Sequence, residues 1–311
     1  MKRVVVTGAT GAIGRALITE AIKSGYEVLA IVHRTSARAE ELEGMACCQV
    51  LRLDLSEYGN AIPEMEKQGL ATQGYSMFFH LAWAAPFGAG RNDLLLQMRN
   101  VQAAMDAVIL AGKLGCDTFV GTGSQAEYGR VRECLRPHTP TEPETGYGSA
   151  KLCAGQMTRL LCEEKGIRHI WDRVLSVYGP HDRPETMIST AVSRMARNEE
   201  TEFSPCEQVW DYLYSGDAAR AILLSGEKGV SGKVYVIGSG VGMPLRWYIE
   251  RIAEFTGYTK EIGFGKRPYN EKQVMHMVAD ISELKKDTGF MPEVSFEDGI
   301  REMINTLSCS R

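Results

Sequence analysis

Short runs of β-branched and aliphatic residues recur through the first half of the chain, at Arg3 to Thr7, Val28 to Val32, Val50 to Leu53, Met77 to Leu81, Thr118 to Val120 and His169 to Val174. Between them, Ile13 to Lys23, Leu94 to Leu114 and Tyr147 to Lys165 carry apolar residues at helical spacing. Gly25, Gly115 and Gly166 stand where a glycine ends a helix. Strands alternating with helices in this way predict an α/β fold, a doubly wound parallel sheet.

After about residue 180 the rhythm changes. A polar loop at His181 to Glu185 and a helical stretch at Met187 to Arg197 precede a return to the sheet at Val234 to Ile237. The tail has amphipathic patterns at Arg246 to Thr256 and Phe296 to Leu307, separated by the basic loop Gly265-Lys266-Arg267-Pro268. We expect one large unit over residues 1–178, rejoined by about 206–237, and a smaller, interleaved α/β unit made of 179–205 and 238–311.

The chain's 311 residues, 44% of them hydrophobic, are enough to bury such a core. Its net charge is −4 and its Lys and Arg are scattered, so no nucleic-acid partner is expected. No apolar run approaches the roughly 20 residues that span a bilayer, which predicts no membrane partner. Met1-Lys2-Arg3 leads directly into Val4-Val5-Val6-Thr7-Gly8, too short a run for a secretion signal, and the cytoplasm is the expected location. The eight cysteines include no C-x-x-C, and the six histidines never stand at i, i+4. Reduced thiols and no metal are expected.

Val4 to Gly14 reads as a hydrophobic strand entering a turn that opens a helix, with glycines spaced G-x-x-G-x-x-G at Gly8, Gly11 and Gly14. Gly8 permits a tight turn, Gly11 lets backbone N–H groups approach a pyrophosphate, and Gly14 lets the helix pack close to the strand. A dinucleotide site is therefore predicted at Gly8, Thr10, Gly11, Ala12, Ile13 and Gly14. An acid about 20 residues on would hold the ribose of NAD, and an Arg there would accept the 2′-phosphate of NADP. Here the positions are His33 and Arg34, and the next acid along the chain is Glu40. NADP(H) is favoured, with NAD(H) the alternative.

Tyr147 and Lys151 are four apart at the start of a helix, which puts phenol and ammonium on one face. A tyrosine ionises near ~10, so its use near neutral pH needs a shift of about three units, or about 4 kcal/mol, from a nearby cation. The same spacing also occurs in exposed surface pairs. Ser124 ends a buried strand at its carboxyl edge, where ligands bind in such sheets, and could hold a carbonyl oxygen while Tyr147 delivers a proton.

Together these motifs resemble the extended short-chain dehydrogenase/reductases, the nucleotide-sugar epimerase, dehydratase and ketoreductase group. The resemblance rests on the glycine loop, Asp54-Leu55, His80-Leu81-Ala82, Ser124 before Tyr128-Gly129, Tyr147 with Lys151, Tyr178-Gly179-Pro180, Asp211 to Asp217 and Arg267-Pro268. It implies a Rossmann-type dinucleotide domain with cofactor contacts at Asp54, Leu55, Leu81, Ala82 and Thr122, beside the catalytic set Ser124, Tyr147 and Lys151. It also implies a substrate domain and a homodimer through the helices at Leu94 to Leu114 and Tyr147 to Lys165. Trp83, Ser124, Gln125, Ser176 and Arg267 become candidate sugar-nucleotide contacts, Arg267 through the diphosphate.

Departures from the family pattern narrow the chemistry. Its dehydratases follow the catalytic Ser/Thr with Asp-Glu, whereas Gln125-Ala126 stands here. Ser176 replaces a common Asn, and Trp210 a common Arg. The expected activity is NADP(H)-dependent reduction of a keto group, C4, of a nucleotide-linked 6-deoxyhexose. The alternatives are an NAD-dependent nucleotide-sugar 4-epimerase and a non-catalytic dinucleotide sensor.

Overall fold

The structure, a computed structural model, describes residues 2–309. Among these, one sheet contains seven strands: β1 (Lys2–Thr7), β2 (Tyr26–Val32), β3 (Cys48–Arg52), β4 (Tyr75–His80), β5 (Thr118–Ser124), β6 (Arg168–Val174) and β7 (Val234–Ile237). All its pairings are parallel, in the order β3-β2-β1-β4-β5-β6-β7. The order reverses at β1, with β2 on one side and β4 on the other. Ligands of such sheets bind outside the carboxyl ends of the strands at that reversal.

The main helices are α1 (Ala12–Lys23), α2 (Leu94–Leu114), α3 (Gly146–Lys165), α4 (Met187–Ala196), α5 (Ser215–Lys228), α6 (Leu245–Thr256) and α7 (Phe296–Cys309). Both faces of the sheet are covered, which is why the strands are almost continuously apolar. Val4 and Val6 of β1 join Leu17, Ile18 and Ala21 of α1 in one core. Val5, between them, points the other way, toward Ala107, Val108 and Ala111 of α2. Fully burying one such aliphatic side chain contributes about 1.5–3 kcal/mol.

The expected helix stops hold, since Gly25, Gly115 and Gly166 have φ of 83°, 82° and 68°. The carboxylate of Asp93 accepts the Leu96 N–H to start α2, and the Thr145 hydroxyl accepts the Gly148 N–H to start α3. Two elements depart from expectation. β5 runs four residues past the apolar run ending at Val120, through Gly121 and Gly123 to Ser124. The other is α5, a helix that the reading of residues 206–237 did not single out. Ala218, Ala219, Ala221, Ile222 and Leu223 are all buried, because α5 packs against both α1 and the sheet.

A second core forms where α4, α6 and α7 meet, around Ile188, Val192, Ile249, Ile252 and Ile300, with Tyr178 and Cys206 also inside it. Short strands at Ser176–Tyr178 and Tyr212–Tyr214 pair in parallel beside it. No helix among the described residues is long and apolar enough to cross a membrane.

Candidate active site

The chain leaves β1 through Gly8, at φ 68°. A Cβ there would stand 2.8 Å from the Ala82 nitrogen, and one on Gly14 would run into the Gly8 carbonyl. Only glycine fits either position, so turn, helix and the end of β4 are drawn together. Gly11 has more room, its nearest Cβ neighbour being 3.5 Å away. It is exposed and forms the N-cap of α1, whose first turn has no side-chain cap. Free N–H groups and the positive end of the helix dipole thus face outward between Thr10, Ala12 and Ile13, which keep part of their surface open. Such an end takes up an anion, so these residues fit a dinucleotide's pyrophosphate.

His33 and Arg34 follow β2 and are exposed, yet neither stands free. Arg34 donates through Nε and Nη2 to both oxygens of Glu57, at 2.7 and 3.0 Å, and its backbone N–H donates to Asp54 Oδ1 at 3.0 Å. His33 Nε2 lies 3.3 Å from that same oxygen. Contrary to the expectation of an unopposed Arg34, the acids come from the end of β3, which neighbours β2 in the sheet. The fork-to-fork hydrogen bonds hold Glu57 below the usual carboxylate range. Arg38 donates to the His181 carbonyl at 3.2 Å, and Leu55 beside Asp54 remains half-buried.

Past the reversal, β4 and β5 end side by side. The Thr122 hydroxyl donates to the His80 carbonyl at 3.2 Å. Thr7 Oγ1 meets His80 Nδ1 at 3.0 Å and accepts the Leu81 and Ala82 N–H groups at 3.2 Å, fixing both residues over β1. Burial, helped by the charge of Lys151, pushes His80 down to about 3, so its ring is neutral.

From α3, Lys151 reaches in with only 4% of its surface exposed. Its Nζ donates to the Thr122 carbonyl at 2.6 Å and stands 4.0 Å from the centre of the Trp83 ring. Tyr147, one turn earlier, meets Trp83 edge-on at 6.0 Å, with the Ser124 hydroxyl near enough to favour its ionised form. The structure thus brings Ser124, Tyr147, Lys151 and Trp83 together. It does not support Lys151 as the charge that draws the phenol down. Desolvation pulls Lys151 itself to about 7, opposed by Glu127. Burial pushes Tyr147 above its ordinary value, with Ser124 and Arg91 opposing and Glu127 adding.

Beneath Ser124 lies a group that sequence motifs passed over. Glu127, with no exposed surface, accepts the Ser124 N–H at 2.8 Å, Trp171 Nε1 at 3.1 Å and Arg173 Nε at 2.6 Å. The Ser124 hydroxyl accepts the Ala126 N–H at 3.2 Å, so serine and glutamate close one capping box. Gly121, Gly123 and Gly155 make room for the indole: a Cβ on any of the three would overlap it. The Ser124-x-x-Glu127 spacing of a capping box is the signal along the chain that could have exposed this group.

The remaining substrate candidates scatter. Gln125 is half-buried at the start of the turn after Ser124. Ser176 Oγ accepts from Trp210 Nε1 at 2.9 Å, so the two departures from the family pattern bind each other. Arg267 is exposed and donates to Glu202 at 3.3 Å, sharing no partner with the catalytic set. Among the described residues no cluster of three or more His, Cys, Asp or Glu could hold a metal ion.

Comparison with known proteins agrees with this architecture. The profile of the NAD dependent epimerase/dehydratase family matches residues 4–238. The chain is 24% identical to the uncharacterized UDP-glucose epimerase YtcB of Bacillus subtilis (strain 168), over 98% of each chain. It is 23% identical to the dTDP-4-dehydro-6-deoxyglucose reductase of Escherichia coli, again over 98% of both. The UDP-glucuronic acid 4-epimerase of Bacillus cereus, solved with UDP-glucuronic acid and NAD, shares the fold with a TM-score of 0.83 at 21% identity, covering 99% of this chain and 100% of that one. With a family profile spanning most of its length and a sheet of the same topology, this chain belongs to the NAD dependent epimerase/dehydratase family, among the extended short-chain dehydrogenase/reductase enzymes.

Proposed function

We propose that the protein is an NADP(H)-dependent oxidoreductase that reduces the C4 keto group of a nucleotide-linked 6-deoxyhexose. The observation that carries this reading is the make-up of the site around Tyr147. One phenol stands beside one hydroxyl, that of Ser124, and the next two residues, Gln125 and Ala126, bring no carboxylate that could remove water. Full-length similarity to a dTDP-4-dehydro-6-deoxyglucose reductase supports the same class.

Cofactor binding falls to residues 1–178 with 206–237: the pyrophosphate to Gly8 through Gly14, the adenosine to His33, Arg34, Asp54 and Leu55, the nicotinamide side to Leu81, Ala82, Thr122 and Lys151. The sugar nucleotide is held by 179–205 and 238–311, with Trp83, Gln125, Ser176 and Arg267 as contacts. When bound, the reduced cofactor supplies hydride to the carbonyl carbon. Ser124 donates a hydrogen bond to the carbonyl oxygen, and Tyr147 delivers its proton there as negative charge develops. Lys151, anchored on the Thr122 carbonyl, is placed to orient the ribose.

The Arg34–Glu57 pair favours a second reading, an NAD-dependent 4-epimerase, because it sets acids rather than a free cation at the ribose end. Calorimetry on nucleotide-stripped protein separates the two. For the reductase, NADPH should bind at least about tenfold tighter than NADH, worth about 1.4 kcal/mol, and Arg34→Ala should remove the preference. NAD retained through purification, with turnover that needs no added reductant, makes the epimerase the function instead.

Two copies are expected to associate. Leu94 and Leu95 on α2 are 65% and 74% exposed, and Met98 on α2 with Met157 and Leu160 on α3 extend the apolar surface of these adjacent helices. Packing against a second copy would bury it as a four-helix bundle. Light scattering should give twice the chain mass, and Leu95→Glu with Leu160→Glu should return the monomer; a monomeric unmodified chain removes the idea.

A further inference from the structure

The loop between β4 and α2 is fastened to the first turn of α3, the turn that carries Tyr147. Asn92 Oδ1 accepts the Gly146 N–H at 3.0 Å. Gly146 lies close against the loop: a Cβ there would stand 2.8 Å from Leu94 Cδ2 and 3.4 Å from the Arg91 carbonyl oxygen. Arg91 is part-buried in this contact, and its Nη1 donates to the Pro86 carbonyl at 2.6 Å. That bond leaves the guanidinium lying over the phenol of Tyr147, with Cζ 4.4 Å from the ring centre.

Lys151 is the other cation near this ring, and it is turned elsewhere. Its Nζ is 5.9 Å from the Tyr147 centre and 4.0 Å from that of Trp83, and its hydrogen bond goes to a carbonyl of β5. The groups around the phenol are therefore Arg91 from the β4–α2 loop, Lys151 from its own helix, and Ser124 and Glu127 from the end of β5.

We infer that Arg91 is a positioning residue of this site, supplying the positive charge against which the Tyr147 phenol gives up and regains its proton. The inference rests on the proton-donor role proposed for Tyr147 above. Arg91 favours the phenolate left after proton delivery, because a guanidinium on a ring face interacts more strongly with an anionic ring than with a neutral one. The field at Tyr147 is consistent with this, since Arg91 is the cation that opposes the upward push of burial. Arg91 has a place in the loop only as long as Asn92 and Leu94 hold the loop on Gly146. Without such a cation, Tyr147 would face buried Glu127 with only the Ser124 hydroxyl in opposition.

The test is a spectrophotometric titration of tyrosinate in the complex with oxidised cofactor, with Tyr147→Phe as the blank that isolates one phenol among twelve tyrosines. It needs no sugar, so it can be read even if the assigned substrate is wrong. Arg91→Met keeps the stem and removes the charge, and should move the Tyr147 titration upward by about one pH unit or more, whereas Arg91→Lys should restore most of it. An unmoved titration in Arg91→Met that keeps its near-ultraviolet circular dichroism overturns the inference. So does an equal shift in both variants, which would mean that the side chain merely covers the ring.

Discussion

Replacing Tyr147 by Phe should lower the rate of carbonyl reduction by about 10²–10⁴-fold while leaving cofactor affinity near its original value. That is the usual contribution of a positioned proton donor. Phenylalanine keeps the ring, so the edge contact with Trp83 and the stacking of Arg91 survive, and only the hydroxyl is lost. Single-turnover oxidation of NADPH by a nucleotide-linked 4-ketohexose measures the chemical step, and calorimetry on the same protein measures binding. A near-normal single-turnover rate would remove Tyr147 from the chemistry. A large loss of cofactor affinity would instead mean that the hydroxyl serves binding.

The largest expected loss of stability follows substitution of Glu127 by Ala. Glu127 and Arg173 form an ion pair whose side chains are 0% and 7% exposed, and breaking such a pair from one side costs about 3–5 kcal/mol. The loss arises because Arg173 keeps its charge without its carboxylate, and the Trp171 and Ser124 N–H groups lose their acceptor. Equilibrium denaturation should show the drop, and the double variant Glu127→Gln, Arg173→Met should recover much of it, since no uncompensated charge then stays buried. By contrast, Arg34→Ala at an exposed pair should leave stability nearly unchanged. A Glu127→Ala protein as stable as the original would mean that water reaches Arg173.

What was legible along the chain was local. The strand runs stood out because a parallel sheet buries both faces, as Val4, Val5 and Val6 show. The phosphate loop stood out because Gly8 and Gly14 answer to steric demands set within a few residues, and to Ala82. Tyr147 and Lys151 were found by helical spacing, but the state of Lys151 was not, because desolvation depends on what packs around it. The pairing of Arg34 escaped for a related reason: Glu57 lies 23 residues on and arrives only because β3 lies beside β2. Arg91 carries no motif of its own, and the Ser124-x-x-Glu127 capping-box spacing does not reveal that Glu127 is buried on Trp171 and Arg173. α5 was not singled out because its buried positions are mostly alanine and serine, which stand out little along the chain.

The indole of Trp171 and the three glycines around it also limit the routes by which this site can change. A methyl group at Gly121, Gly123 or Gly155 is barred while the ring is there, yet Gly121 and Gly155 gain room once residue 171 has become small, whereas Gly123 would still meet Glu127 Oε1. Gly121, Gly155 and Trp171 are therefore epistatic, and the same substitution changes sign with the background in which it arises. Trp171 must shrink first, and that step leaves a cavity under Ser124 before any larger residue can refill it. A lineage could cross this dip only with stability to spare, so the end of β5 should drift more slowly than the exposed loops around it.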